Sequence, residues 1–453
     1  MINTLIKKIL KEDNFHSLLN NIISALIGIA GFSILARELS MSDFSRYIIF
    51  ITGGSILEMV RFGLTNNALI CFLAGAKNHR RKEIIGSFIK INLIISFAFA
   101  FLIFGIYFFM KSAIDNSTFD LFFSWSPFIL IANIPFNNAL TIFQADIKFD
   151  KILLIRSINN GLYFLVILLG TLYFSISIEE IIFWFLLIQI FLSLLCIILK
   201  WDHFTSIKSA SSKEIKKIID FGKYSVFTLL GTNLLRNSDV FIIGLGALGP
   251  SAVAVYSIPM KITELMQIPL RSFAATAFPK ISKAHLKGDL LKVKNIFNTY
   301  TGAISLFFIV IAGFIICFDR ELVILISGHT YLNANSDGLD ILLITKILAV
   351  YGLILPIDRM TGITLDGLNK PNVNSLKVIV MLSTNIIGDL IAVLVFKSLE
   401  MVALTSIVFT FVGSFLGWYF LNKELNLNIK EILASGVRFY LNFSRMNFKL
   451  TKK

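Results

Sequence analysis

Three acid–base pairs stand three residues apart inside apolar stretches of the 453-residue chain: Glu58/Arg61, Arg236/Asp239 and Lys261/Glu264. On a helix that spacing puts both members on one face. Arg271 has Gln267, Ile268, Ala274 and Ala275 at the positions three and four away, so it has no local acid. Lys346 lacks one too, and Arg359 has only the adjacent Asp358, which points to a different face. An ionisable group at membrane depth costs at least about 2.5–3.5 kcal/mol at a helix centre, so it faces a water-filled cavity or finds a partner. The surplus here is positive. Such a cavity attracts an anion, for example a phosphate or a carboxylated sugar. The alternative is that each pair neutralises itself and holds helices together. The candidate substrate-binding residues are therefore Arg61, Arg236, Lys261, Arg271 and Arg359. Glu58, Asp239 and Glu264 are candidates for ion coupling or structural pairing, with Asp389 a further acid on which coupling could rest. Lys346 and Arg359 stand close enough to span ends to snorkel.

Other chemistry is missing from the sequence. The five histidines (His16, His79, His203, His285 and His329) fall in loops or at span ends, which disfavours a buried histidine relay. There is no GxxxxGK[ST] phosphate loop and no HExxH zinc pattern. Cys71, Cys196 and Cys317 lie far apart in apolar runs, without a CxxC pair. No catalytic residue, metal or cofactor is expected.

The elements that must position these charges are membrane helices. Hydrophobic residues make up 56% of the chain and charged ones only 15%. Neither a soluble globule nor a disordered chain has that composition. Apolar runs of about 20 residues predict an all-α polytopic membrane protein of about twelve transmembrane helices. They lie near 15–36, 47–74, 84–110, 121–144, 154–175, 180–199, 222–247, 252–279, 297–318, 340–363, 374–396 and 402–421. Among the 42 Lys and Arg residues, only Arg37, Arg46, Lys111, Arg320 and Lys397 fall in the loops of one side. Most of the rest fall on the other, which places both termini in the cytoplasm. The basic residues are scattered between apolar runs, so the net charge of +14 implies no nucleic acid partner.

The polar stretch 200–221 reads as a cytoplasmic linker between an N-terminal six-helix lobe, 1–199, and a C-terminal one, 222–421. In the tail, 422–453, Ile429, Ile432, Leu433 and Val437 recur at helical spacing among basic residues, which predicts an amphipathic helix on the cytoplasmic leaflet. Pro259, Pro269 and Pro279 predict a kinked or broken eighth span, and Pro127, Pro135 and Pro356 further bends. Sliding the chain by 209 residues lays Leu39, Ser42, Tyr47 and Ala68 on Leu248, Ser251, Tyr256 and Ala277, so the lobes read as a parallel repeat.

Several segments resemble a known family. Leu35-Ala-Arg-Glu-Leu-Ser-Met-Ser-Asp-Phe-Ser-Arg-Tyr47 is similar to the loop that opens bacterial polysaccharide flippases. Arg236-Asn-Ser-Asp239-Val-Phe-Ile-Ile-Gly244 with Ser251-Ala-Val-Ala-Val-Tyr256 resembles their segment across helices 7 and 8. Phe62-Gly-Leu64 and Phe143-Gln-Ala145 also fit. Ser45 and Ser251 depart from the Gly often found there, which touches the turn rather than the chemistry. The resemblance spans the chain and is to the O-antigen (Wzx-type) branch of the MATE-like superfamily, which also holds multidrug extruders and lipid II flippases. It implies two six-helix lobes around a central cavity. It also implies translocation of an undecaprenyl-pyrophosphate-linked oligosaccharide from the inner to the outer leaflet of the bacterial cytoplasmic (inner) membrane by alternating access. Such a protein is a transporter and not an enzyme, serves lipopolysaccharide or related polysaccharide biosynthesis, and has membrane lipids, a polysaccharide polymerase and a chain-length regulator as partners. Carried to this sequence, the cavity residues are Arg61, Arg236, Lys261 and Arg271. The alternatives are a cation-coupled multidrug extruder of the same fold and a membrane enzyme, for which the outside loops leave little room.

Overall fold

The computed structural model describes the backbone of residues 13–73, 76–174, 176–246, 248–332 and 339–450. Lys7, Lys8 and Lys11, which contribute to the expected orientation, lie outside the described residues, as does most of the loop between Gly328 and Asp340. Every described element is helical. The helices are α1 (Asp13–Glu38), α2 (Met41–Leu73), α3 (Asn78–Ile114), α4 (Asp120–Ala132), α5 (Ile134–Ala145), α6 (Phe149–Leu169), α7 (Ile178–Ile198), α8 (Ser212–Leu245) and α9 (Ala252–Leu286). They continue with α10 (Leu290–Cys317), α11 (Asp319–Ser327), α12 (Ile341–Gly367), α13 (Pro371–Ile391), α14 (Leu399–Leu425) and α15 (Ile429–Leu450). Short π turns extend α6 and α13.

Each apolar run falls on a long helix or, for 121–144, on the pair α4 and α5. Among the described residues, eight helices are long and apolar enough to cross a membrane, or nine if the bent pair counts as one span. The long helices α1, α8 and α9 fall outside that set. The middles of α8 and α9 carry Arg236, Asp239, Lys261 and Glu264, so the charges that point to a site also lower the apolar signal of the helices that hold them. Large apolar side chains stay exposed along α3, where Phe101, Phe108 and Phe109 are 70% exposed or more. Lipid, not water, suits such a surface. The chain is a multi-pass membrane protein.

The prolines divide. Pro259, Pro269 and Pro279 do not break α9, which runs as one helix over 35 residues. A marked bend, 56°, lies between α4 and α5, beside Pro135 as expected. It falls at Asn133, with Pro135 in the first turn of α5, where a missing N–H costs nothing.

The chain forms two compact units, Met1–Asn233 and Leu234–Lys453. Their boundary falls inside α8 rather than in the polar stretch before it. That stretch is not a free linker. It forms a 3-10 turn, Phe204–Ser209, pressed onto α3 in the first unit. Gly86 permits this, because a Cβ there would lie 2.1 Å from the Ser206 carbonyl oxygen. The Ser211 N–H donates to Ser87 Oγ at 3.1 Å. At the other end of this unit Arg46 ties three helix N-termini together, pairing with Asp43 of α2, Asp120 of α4 and Glu179 of α7. Acids in the first turn also suit the positive end of each helix.

In the second unit, α12 packs on α9, α10 and α14 around Met360, Leu365, Phe297 and Leu421. The tail helix α15 lies on α10. Gly302 and Gly436 meet there, with room for no side chain: a Cβ on Gly302 would stand 2.0 Å from the Ile432 carbonyl oxygen. Lys294 pairs with Glu431 at 2.9 Å, and Tyr440 donates to the Ala303 carbonyl at 2.9 Å. The expected apolar stripe therefore splits. Ile432 is buried in the bundle, whereas Ile429, Leu433 and Val437 stay exposed.

Candidate functional site

The charged residues of the second unit gather around Glu264. Arg236 of α8 donates Nη2 to Glu264 Oε1 at 3.0 Å, and Lys261 donates Nζ to Oε2 at 2.9 Å. Arg236 thus pairs across helices and not with Asp239, its neighbour one turn along α8. Arg271, about two turns beyond Glu264 along α9, is within electrostatic reach of Arg236, Glu264 and Arg359. Arg236, Lys261 and Arg271 thus share the Glu264 carboxylate, with Arg359 beside Arg271 and within reach of Asp366. Arg236, Arg271 and Arg359 are exposed, so the cluster presents its positive charge at a surface of the unit.

Asp239, one turn along α8, is buried in the core. Its carboxylate accepts from Tyr256 Oη at 2.7 Å, from Asn385 Nδ2 at 3.1 Å and from Ser406 Oγ at 3.4 Å. Asn385 Nδ2 also donates to Asp389 at 3.0 Å, and Asn385 Oδ1 accepts from Ser238 Oγ at 2.6 Å. Asp239 and Asp389 are both buried, and neither forms an ion pair with a Lys or Arg among the described residues. A small cavity of about 40 Å³ touches both systems, being lined by Arg236, Asp239, Tyr256 and Glu264.

In the first unit, Glu58 and Arg61 do not pair directly either. Arg61 donates to Asn133 Oδ1 and to the Leu130 carbonyl, both at 2.8 Å, and to Ser96 Oγ at 3.1 Å. Asn133 in turn donates to Glu58 Oε1 at 3.0 Å. The bend between α4 and α5 thus supplies both the Leu130 carbonyl and the bridging amide. Arg61, expected to face a substrate, is 1% exposed in this structure and is held by these contacts as a buried clamp on Glu58 and the bend. Glu58 itself borders an open groove of about 320 Å³ with Ser55, Phe62, Asn66, Asn67 and Gln144.

Sequence reading missed several of these groups. Asn133, Asn385 and Ser406 are uncharged and left no signal of membrane-depth cost. Arg156 lies in α6 within reach of Glu58. Lys377 is buried in α13 and pairs with Asp358 at 2.7 Å. Lys346 finds Asp319 of α11 at 3.3 Å, a partner far away in sequence. Among the described residues, no group of three His, Cys, Asp or Glu could hold a metal ion.

Comparison with known proteins agrees with this architecture. Residues 10–285 match the family model described as polysaccharide biosynthesis protein. A curated relative, the probable low-salt glycan biosynthesis flippase Agl15 of Haloferax volcanii, is 23% identical over 245 residues, covering 52% of this chain and 50% of the relative. The match thus spans about half the length of each protein. Among solved structures, a multidrug resistance MATE family transporter of the MOP superfamily superposes with a TM-score of 0.73 at 16% identity, covering 92% of this chain and 98% of that one. The lipid II flippase MurJ superposes with a TM-score of 0.71 at 14% identity, covering 96% and 99%. The fold is therefore MATE-like.

Proposed function

Because the chain belongs to the polysaccharide biosynthesis protein family, we propose that it is a flippase for a lipid-linked oligosaccharide. In this reading the cargo is an undecaprenyl-pyrophosphate-linked repeat unit of O-antigen or a related glycan. It is carried from the inner to the outer leaflet of the bacterial cytoplasmic membrane by alternating access, with both termini cytoplasmic. A polysaccharide polymerase and a chain-length regulator then act on the product.

The observation that carries this reading is the cluster of Arg236, Lys261 and Arg271 around Glu264, with Arg359 beside Arg271. A pyrophosphate brings about two negative charges and several acceptor oxygens, which guanidinium groups meet with paired hydrogen bonds. Glu264 holds Arg236 and Lys261 in place before the substrate arrives and keeps the cluster from binding the anion too tightly to release. Asp239 and Asp389 are two buried carboxylates whose charge needs compensation. A proton or a small monovalent cation is the coupling species this reading assigns to them. Extrusion of cationic drugs fits poorly, because the exposed cluster repels cations.

Deletion of the gene in the source organism tests the proposal. Lipid-linked repeats trapped on the inner leaflet, together with loss of surface polysaccharide, are expected. Arg271→Ala and Arg236→Ala restore membrane insertion but not surface polysaccharide. Full-length surface polymer with no trapped intermediate in the deletion strain overturns the reading.

A further inference from the structure

The groove of the first unit has a chemistry of its own. Its residues Ser55, Glu58, Phe62, Asn66, Asn67 and Gln144 are uncharged except for Glu58. Those on α2 recur at three- and four-residue intervals, so they form one stripe along the helix, and Gln144 faces it from the end of α5. A carboxylate as the one charged lining group repels phosphate, so this is not a second pyrophosphate site. Nor is it a cation trap. Arg61, bridged to Glu58 through Asn133, and Arg156 on α6 both offset the Glu58 charge.

We infer that this groove binds the sugar part of the cargo, a ligand of neutral hydroxyl-bearing rings. This inference rests on the flippase reading and extends it to the glycan part of the cargo. Carboxamides suit hydroxyls because each offers two donors and an acceptor in one plane. Asn66 is already oriented, since its Oδ1 accepts from Thr141 Oγ1 at 3.1 Å, which leaves its Nδ2 hydrogens for a ligand. Phe62 offers the flat apolar surface against which the C–H face of a sugar ring packs. Its ring rests on the buried Arg61 guanidinium, 4.3 Å from the ring centroid, so its position is set before a ligand arrives. Polar edges beside an aromatic face match a pyranose, which has hydroxyls at its rim and C–H bonds above and below.

The test uses the full chain in lipid nanodiscs and two probes, undecaprenyl diphosphate and undecaprenyl diphosphate bearing one N-acetylglucosamine. Wild type is expected to bind the sugar-bearing probe about tenfold more tightly, an advantage of about 1.4 kcal/mol. Asn67→Ala and Gln144→Ala, at exposed positions, should erase that preference and leave affinity for the bare diphosphate unchanged. Phe62→Leu should do the same and Phe62→Tyr should not. A preference that survives in all of these variants, or wild type binding both probes equally, overturns the inference while the flippase reading stands. Failure of wild type to bind either probe overturns the flippase reading itself.

Discussion

Arg236 of α8 donates to Glu264 of α9 at 3.0 Å, in preference to the carboxylate of Asp239 one turn along its own helix. The pairing separates two charge systems that the sequence places side by side. One is cationic and exposed, and the other is acidic and buried. Removing the shared carboxylate should therefore strengthen anion binding. At an effective dielectric near 40, a unit charge about 8 Å away is worth roughly 1 kcal/mol. Glu264→Gln should accordingly lower the Kd for inorganic pyrophosphate about fivefold in a titration of the purified protein. It should also slow turnover, because release becomes harder. A weakened Kd would show that Glu264 serves to place Arg236 and Lys261 more than to temper them.

Asp239 and Asp389 share the Asn385 amide, so either can be changed to Asn with most hydrogen bonds kept. Asp239→Asn and Asp389→Asn should leave the protein folded but make transport in proteoliposomes insensitive to the imposed proton or sodium gradient. Asn385→Leu is different. It strips a donor from two buried carboxylates at once, and an unsatisfied buried charge costs several kcal/mol. Loss of folded protein in detergent is expected for that variant alone. Gradient dependence that persists in both Asn variants would exclude this pair from coupling.

Asn133 is the bridge between Arg61 and Glu58. Asn133→Leu keeps the volume and removes the bridge, leaving a buried guanidinium with fewer acceptors. Destabilisation of about 3 kcal/mol is expected, within the range for breaking a buried charge network. A melting curve in detergent reads this directly. An unchanged Tm would mean that the Arg61 guanidinium does not depend on its Asn133 contact.

The crossing of Gly302 and Gly436 leaves no room for a side chain on either helix. Gly436→Leu should lift α15 from α10 while the rest of the unit stays folded. Limited proteolysis should then release the segment beyond Leu425 faster than in wild type. Ile429→Ser, on the exposed side of α15, should not change the cleavage rate. Equal protection in the Gly436 variant would refute the packing role of this crossing.

Acid should loosen the junction between α5 and the 3-10 turn. Burial raises the Asp146 carboxyl, but Arg81 and Lys148 outweigh it and hold the group below its ordinary 3.8. A depressed carboxylate stabilises the fold above its unfolded value, and that contribution is lost as pH falls through the lower, folded one. Burial, and then the nearby Arg81, hold His203 below its ordinary value, so protonation there also works against the fold as pH falls. Asp146→Asn should flatten the acid limb of a Tm-against-pH curve and lower Tm at neutral pH by the worth of a partly exposed ion pair, about 1 kcal/mol or less. A parallel curve would assign the acid sensitivity elsewhere.

Much of the fold was legible in one dimension. Long apolar runs in a charge-poor chain cannot dissolve in water, and a lone helix must satisfy its own backbone in lipid, so the multi-pass, all-α class follows from local composition. The charges at Arg236, Asp239, Lys261, Glu264 and Arg271 were visible for the same reason, since each is costly enough in lipid to need a purpose. Partner choice was not visible. The i, i+3 spacing of Glu58/Arg61 and Arg236/Asp239 suggested direct pairs, yet side-chain geometry on neighbouring helices offered better ones.

The sequence by itself thus determined that the chain enters a membrane, where its helices run and which residues carry unexplained charge, because those depend on single-residue transfer energies and short periods. Tertiary structure alone decided that Arg61 is a buried clamp, that Glu264 gathers the cations and that Asp239 joins Asp389 through Asn385. The contacts among these that cross between helices join residues from 28 to 146 positions apart, and which of several acceptors a charge reaches depends on how the helices pack. No spacing along one helix encodes that.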